Sequence, residues 1–569
     1  MMTFAMIAAA WPLVTMRQMG ATTFAPSNLN ALVEIHVRHR GAVDEFWLAD
    51  GTPRPLSELK SRARQVGECA AALTQAGLVN GFQQGVTLGH DFTAWSGDAW
   101  PMPDDAWGVA RDGRRTGFLC PRSPAVQAMA ETFAETYVRF GKVKSFWLDD
   151  DLRFGFCKGP NAESCWCPRC LQALNAAAGT ALSREEAVKR LSSAEPRDPL
   201  RAVWARVRAE GLAAFAAASA RGARCADPDV RMGYQAISSA TICSGEDYRA
   251  ILEALSDGGR HPVGIRPGHG FYDEDCDVKR ELAAKVLDAA REAERCRALP
   301  WWKGSVVYEQ ETWPHYVMQK TMDAVVKEAA VSLAAGCDAV ALYWYSAANP
   351  EPIPYYEELV ENVARWRPYW QRLSDLAKVT RLGGVSLAPD PDLMTGQKAA
   401  IPQVEGLVRR DPSEVELALM GVPVTLAEAG GANHFDPAWV PKRGAHYLVR
   451  DRVALLDRLD RGEPGGVAVR VDKVHPLLVY PRVDGAGRTV AVTFVNVSVG
   501  TARALPVRIR RPAGARPLLV RPNAGDRFLD SVTGPGDELR LTLPDLGAWE
   551  IATVVCQIVS NTESQEKGR

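Results

Sequence analysis

The stretch SFWLDDD at 145–151 ends an apolar run in three adjacent aspartates, Asp149, Asp150 and Asp151, with Arg153 two positions on. Carboxylates this close repel one another, and the repulsion raises the proton affinity of one member of the group. A second acidic cluster closes SVVYEQE at 305–311, where strand alternation puts Val307, Glu309 and Glu311 on one face. Cleavage of a glycosidic bond needs two opposed carboxyl groups. One stays protonated and gives its proton to the leaving oxygen; the other stays ionised, to attack the anomeric carbon or activate water. Three neighbouring aspartates can supply the protonated acid while Arg153 keeps another ionised. Taken one at a time, each aspartate could equally cap the following segment or pair with an arginine.

Other groups gather at similar positions. His90 and Asp91 end one apolar run, Arg266 and His269 another, and Tyr343, Trp344 and Tyr345 a third, while Trp313 follows the glutamates. Aromatic faces beside charged hydrogen-bonding groups suit a neutral, hydroxyl-rich ligand, which makes a carbohydrate the expected substrate. FCKGPNAESCWCPRC adds Cys157, Cys165, Cys167 and Cys170 directly after the aspartates. Cys-x-Cys-x-x-Cys brings thiolates within tetrahedral reach of zinc, and the fourth ligand is either Cys157 or Cys120, of which Cys120 is preferred. A four-cysteine site is closed to water, so this zinc would be structural. No organic cofactor is expected.

The elements that must position these groups alternate as strand and helix. EFWLAD (45–50), FQQGVTLGHD (82–91), RRTGFLCP (114–121), SFWLDDD (145–151), RMGYQAI (231–237), PVGIRPGHG (262–270), SVVYEQE (305–311) and DAVALYWYSA (338–347) read as eight strands, trailed by helical segments except the second, which a long polar and aromatic loop follows. Eight βα units over roughly 340 residues predict a (β/α)8 TIM barrel, whose chemistry occurs at the C-terminal strand ends. A doubly wound sheet would need a Gly-rich phosphate loop after its first strand, and there is none. The expected organisation is an N-terminal segment (1–40), a TIM-barrel domain with a Cys-rich insertion (41–380), a small α/β domain (381–471), a β-sandwich (472–557) and a disordered tail (558–569).

The chain of 569 residues is 47% hydrophobic with a formal net charge of −1, which gives nucleic acid or an anionic membrane no electrostatic hold. MMTFAMIAAAWPLVTM is apolar without a basic flank, and reads as a cryptic signal or as sequence upstream of a start near Met16. No stretch is long enough to span a bilayer. Twelve cysteines are too few for a disulfide scaffold at this length, so a cytoplasmic location is expected.

Acidic groups ending the fourth strand, a glutamate ending the seventh, and the Cys…Cys-x-Cys-x-x-Cys cluster resemble the family 42 β-galactosidases of the TIM-barrel glycosidase clan. The order of barrel, α/β "trimerisation" domain and small β domain is similar too. The resemblance implies a retaining β-glycosidase with Glu309 as nucleophile, zinc on Cys120, Cys165, Cys167 and Cys170, and a trimer or dimer. One feature departs from the family: strand four ends there in Asn-Glu, with glutamate as acid/base, whereas this chain has WLDDDLR. Asp150 is the chosen acid/base, with Asp149 and Asp151 as substitutes, and Glu311 is the rival nucleophile. Two other classes remain open: a barrel that binds carbohydrate without cleaving it, and a hydrolase whose aspartates hold a divalent cation.

Overall fold

The computed structural model describes residues 11–19, 26–50, 55–89, 100–149, 152–154, 165–191, 198–236, 248–267, 270, 274, 277–310, 312, 317–345, 352–387, 412–425, 434–435, 449–462 and 467–557. Eight parallel strands close a barrel: β1 (Val14–Met19), β2 (Glu45–Asp50), β3 (Val79–Gln84), β4 (Ser145–Leu148), β5 (Arg231–Ala236), β6 (Val263–Pro267), β7 (Ser305–Gln310) and β8 (Ala339–Tyr345). Each pairs with the next, and β8 returns to β1 with Val14 opposite Val340. Helices α1 (Pro26–Arg38), α2 (Leu56–Gln75), α3 (Pro124–Gly141), α4 (Pro199–Ala226), α5 (Tyr248–Leu255), α6 (Val278–Arg297), α7 (Met322–Ala335) and α8 (Ile353–Val379) precede or follow the strands in turn.

The expected TIM barrel is therefore present, but two of its strands differ from expectation. β1 lies inside the segment expected to precede the barrel, because Arg17 and Gln18 interrupt its apolar texture and the run before it looks like a leader. The strand expected at 114–121 is not a barrel strand. Arg115–Leu119 pairs antiparallel with Trp107–Val109 in a hairpin inserted between β3 and α3. One omission and one extra strand offset each other, so the count still reached eight. A start at Met16 would remove Val14 and Thr15, both paired with β8.

The barrel interior is filled in layers. Lowest is a polar layer in which Glu45 accepts hydrogen bonds from Ser145 Oγ at 2.7 Å and Arg231 Nη2 at 2.8 Å. Above it Trp47 and Trp147 lie with ring centroids 4.4 Å apart, packed with Val307, Ala339 and Ala341. Two indoles fit because small residues face them. A Cβ on Gly233 would come within 2.3 Å of the Trp147 ring, and one on Gly264 within 2.5 Å.

Beyond the barrel, Val385–Leu387, Val424–Thr425 and His434–Phe435 form a three-stranded parallel sheet, with helices Pro412–Leu419 and Val449–Gly462 nearby in the chain. A six-stranded and a four-stranded antiparallel sheet then enclose a separate apolar core. Arg381–Leu382 and Val469–Val471, which the sequence reading placed in the α/β segment, belong to these two sheets. Arg482, on the strand Leu477–Val483, joins the sandwich to the barrel. It donates to Thr380 Oγ1 at 3.0 Å, to Ala335 O at 3.0 Å, to Ala377 O at 3.2 Å and to Thr380 O, so one guanidinium caps the C-termini of α7 and α8. Burial lowers its pKa from 12.5 to about 10. Among the described residues no helix is long and apolar enough to cross a membrane.

Candidate active site

Strand alternation carries the tryptophan layer upward into a polar one. On β7, Val307 packs against the indoles and Glu309 is the next inward residue; on β4, Trp147 is followed inward by Asp149. Arg17 from β1, Gln83 from β3, Gln235 from β5, Arg266 from β6 and Tyr343 from β8 complete the ring. All are buried, with Glu309 and Arg266 at 0% exposure and Asp149 at 7%.

Glu309 is the centre of this layer. Gln235 Nε2 donates to its two oxygens at 2.9 and 2.8 Å, Arg17 Nη1 donates at 2.5 Å, and Arg266 Nη2 lies 3.3 Å away. Arg266 Nη2 is also 3.5 Å from Asp149 Oδ1, so one nitrogen bridges the carboxylates of β4 and β7. Gln83 Oε1 accepts from Arg17 Nε at 3.1 Å and from Arg266 Nη1 at 3.3 Å, which orients both guanidiniums. Arg17 lies 4.8 Å from the Tyr343 ring centroid and Arg266 lies 5.3 Å from that of Trp47. Buried charges persist only when paired and hydrogen-bonded, and among the described residues two guanidiniums face two carboxylates. Two oxygens that touch one nitrogen at these distances are less than about 7 Å apart.

Of the residues singled out from sequence, Asp149, Arg266, Glu309 and Tyr343 meet in this ring. Arg153 is buried just beyond β4, at 3% exposure. His90, Asp91, Asp150, Asp151, Cys157, His269, Glu311 and Trp313 lie outside the described residues, as does the side chain of Trp344. Arg17, Gln83 and Gln235 were not anticipated. The last two had a signal, a glutamine directly after an aromatic residue near the end of a strand, Phe82-Gln83 and Tyr234-Gln235. Arg17 had none once its strand was overlooked.

The cysteine cluster lies in the insertions flanking α3 and β4. Cys120 follows the hairpin strand rather than a barrel strand, and Cys165, Cys167 and Cys170 enter the helix Pro168–Ala178. Cys120 Sγ is 3.5 Å from Cys167 Sγ and 3.7 Å from Cys170 Sγ, and all four sulfurs lie within 4.8 Å of one another. Thiolates around zinc at about 2.3 Å stand roughly 3.8 Å apart, so the set fits that ion. Sulfur–sulfur hydrogen bonding, from Cys120 first, holds the Cys167 thiol far below its ordinary value and drives Cys165 and Cys170 well above theirs. The insertion is held by Trp166, whose backbone N–H donates to Val109 O at 2.7 Å and whose ring stacks on Trp204 at 4.6 Å.

No family model matches the chain, and no curated protein does. Solved structures do match, over nearly the whole chain. A β-galactosidase from the psychrophilic Marinomonas ef1 is 11% identical with a TM-score of 0.55, covering 95% of this chain and 100% of its own. A catalytic mutant of a GH42 β-galactosidase from G. stearothermophilus is 12% identical with a TM-score of 0.56, covering 95% and 98%. A β-galactosidase from Bacillus circulans sp. alkalophilus is 12% identical at 0.55, covering 96% and 99%. At these identities the likeness is one of fold: this chain has the architecture of the family 42 glycoside hydrolases.

Proposed function

We propose that the chain is a glycoside hydrolase, a retaining β-glycosidase related in activity to the β-galactosidases, acting on small glycosides or oligosaccharides. The observation that carries this is the juxtaposition of Glu309 at the end of β7 with Asp149 at the end of β4, held together through Arg266. In this reading Glu309 attacks the anomeric carbon, and the bond to the leaving oxygen breaks as an aspartate of the 149–151 triplet protonates it. Water then cleaves the glycosyl ester, with the same aspartate accepting its proton. The sequence favours Asp150 as acid/base with Asp149 and Asp151 as substitutes; the position of Asp149 on the inward face beside Arg266 supports Asp149 in that role. Gln235 and Arg17 hold the attacking carboxylate in one orientation, the kind of positioning that lowers a barrier before any bond changes. We further propose one structural zinc on Cys120, Cys165, Cys167 and Cys170, supported by their mutual spacing.

A second reading rests on the burial of Glu309 and its pairing with two guanidiniums, which would also suit a barrel that binds sugar without cleaving it. A panel of α- and β-aryl glycosides, run with wild type and Glu309→Gln, separates the two. Turnover of a β-glycoside that disappears in the variant supports the hydrolase. Turnover that survives moves the nucleophile to Glu311. Oligosaccharide binding with no turnover of any substrate supports the binding barrel, and turnover lost to a chelator without loss of fold would point to a cation on the aspartates.

A further inference from the structure

Behind Glu309, on the helix-facing side of β7, lies a second buried polar cluster. Glu328 of α7 accepts from the Tyr308 hydroxyl at 2.7 Å, from Lys320 Nζ at 2.6 Å and from Gln310 Nε2 at 3.4 Å. Lys320, Glu328 and Tyr308 are each 1% exposed, and Gln310 is fully buried. Glu328 shares its face of the helix with Val325, Val331, Ser332 and Ala335, all buried and mostly apolar. A buried ion pair in such an apolar interface adds little stability compared with a packed hydrophobic pair, and its better-attested use is to select one register.

The register here has a specific consequence. Tyr308 and Gln310 flank Glu309 in the chain and point away from the barrel axis, while Glu309 points inward. One carboxylate therefore holds the strand on both sides of Glu309, from behind. Lys320 sits where the segment after β7 rejoins α7. There Thr321 donates to Glu274 Oε1 through its N–H at 2.6 Å and its hydroxyl at 2.8 Å, and Glu274 N–H donates to Gln319 O at 2.7 Å. Gly270 N–H, beyond β6, meets the Glu309 carbonyl at 3.0 Å. The ends of the β6 and β7 segments are thus tied at one place, beside the strand that carries Glu309.

We infer that Lys320 and Glu328 are positioning residues for Glu309, fixing the rotation of β7 about its own axis through Tyr308 and Gln310. The inference rests on the reading of Glu309 as the nucleophile. Its test replaces the lock with apolar groups of similar length, Lys320→Met with Glu328→Leu, which removes both charges of this pair together. On the aryl glycoside that wild type cleaves best, this variant is expected to keep KM within twofold and lose about 30- to 100-fold in kcat, as a small misplacement of a reacting group does. Lys320→Met with Glu328→Gln keeps an acceptor for Tyr308 and should recover most of that loss. A Met/Leu variant within about threefold of wild-type kcat at unchanged KM overturns the inference. Should wild type cleave no glycoside, the function proposal fails on its own, and amide hydrogen exchange of the peptide through 305–312 decides the lock. Faster exchange confined to that peptide in the Met/Leu variant supports it, and unchanged exchange overturns it.

Discussion

Replacing Glu309 by glutamine removes one of the two carboxylates that balance Arg17 and Arg266, and the arithmetic of that change can be worked through. Arg17 Nη1, at 2.5 Å, loses an anionic acceptor, and Arg266 keeps Asp149 at 3.5 Å. Among the described residues, Asp149 is then the carboxylate left facing the two guanidiniums, and removing one partner of a buried pair costs about 3 kcal/mol. Arg17→Met on top of Glu309→Gln restores the balance at a similar side-chain length and should regain about 2 kcal/mol, so the two changes are coupled rather than additive. A chain of several domains does not unfold as one unit, so the assay must report on the barrel. Trp47 and Trp147, directly beneath the layer, allow it to be followed by fluorescence. A barrel of this size shifts by about 2 °C for each kcal/mol. Glu309→Gln should therefore melt about 6 °C below wild type, with the double variant recovering about 4 °C. If the two losses simply add, to within about 0.5 kcal/mol, Arg17 and Glu309 are not energetically paired.

Further outcomes follow from other parts of the molecule. Arg482→Met strands the carbonyl groups at the ends of α7 and α8 and should cost about 2–4 kcal/mol at the sandwich–barrel junction, visible as earlier proteolytic separation of the two. Zinc should be found at one ion per chain by elemental mass spectrometry, lost in Cys120→Ser and retained in Cys157→Ser. Glu292 gives a pH effect of definite sign. Burial first, opposed by Arg295 and Arg291, raises its pKa from 4.5 to about 6. The folded state thus holds this proton more tightly than the unfolded one, so the stabilisation is complete below pH 4.5 and is lost as pH rises through about 6. Glu292→Gln should remove that decline, worth about 2 kcal/mol, from unfolding curves taken between these pH values.

The parts of the site that were legible in the sequence are those where a strand ends abruptly in charge. WLDDD and YEQE each break an apolar run within one residue, so both the strand and its charged end could be read, and IRPGH exposed Arg266 in the same way. The cysteine cluster was legible because close thiolates have few other uses. β1 was not, because VTMRQM combines a polar middle with an apolar preceding segment, and only pairing with β2 and β8 makes it a strand. RTGFL has the local texture of a barrel strand, yet Trp107–Val109 lies close enough in sequence to pair with it first. Gln83 and Gln235 are neutral, and their importance comes from the charges they orient, which local sequence does not reveal. Alternation also distinguishes among the aspartates in a way composition could not: Asp149 shares the inward face with Trp147.

The paired indoles of Trp47 and Trp147 have a consequence for traffic through the molecule. They block the barrel at mid-height, with Gly233 and Gly264 drawn in against the rings, so nothing can pass toward the N-terminal strand ends. In the proposed function, a sugar bound above Glu309 has no back exit. It must leave by the side it entered, ahead of the next substrate, and a slowly departing product would therefore act as a competitor for the same space.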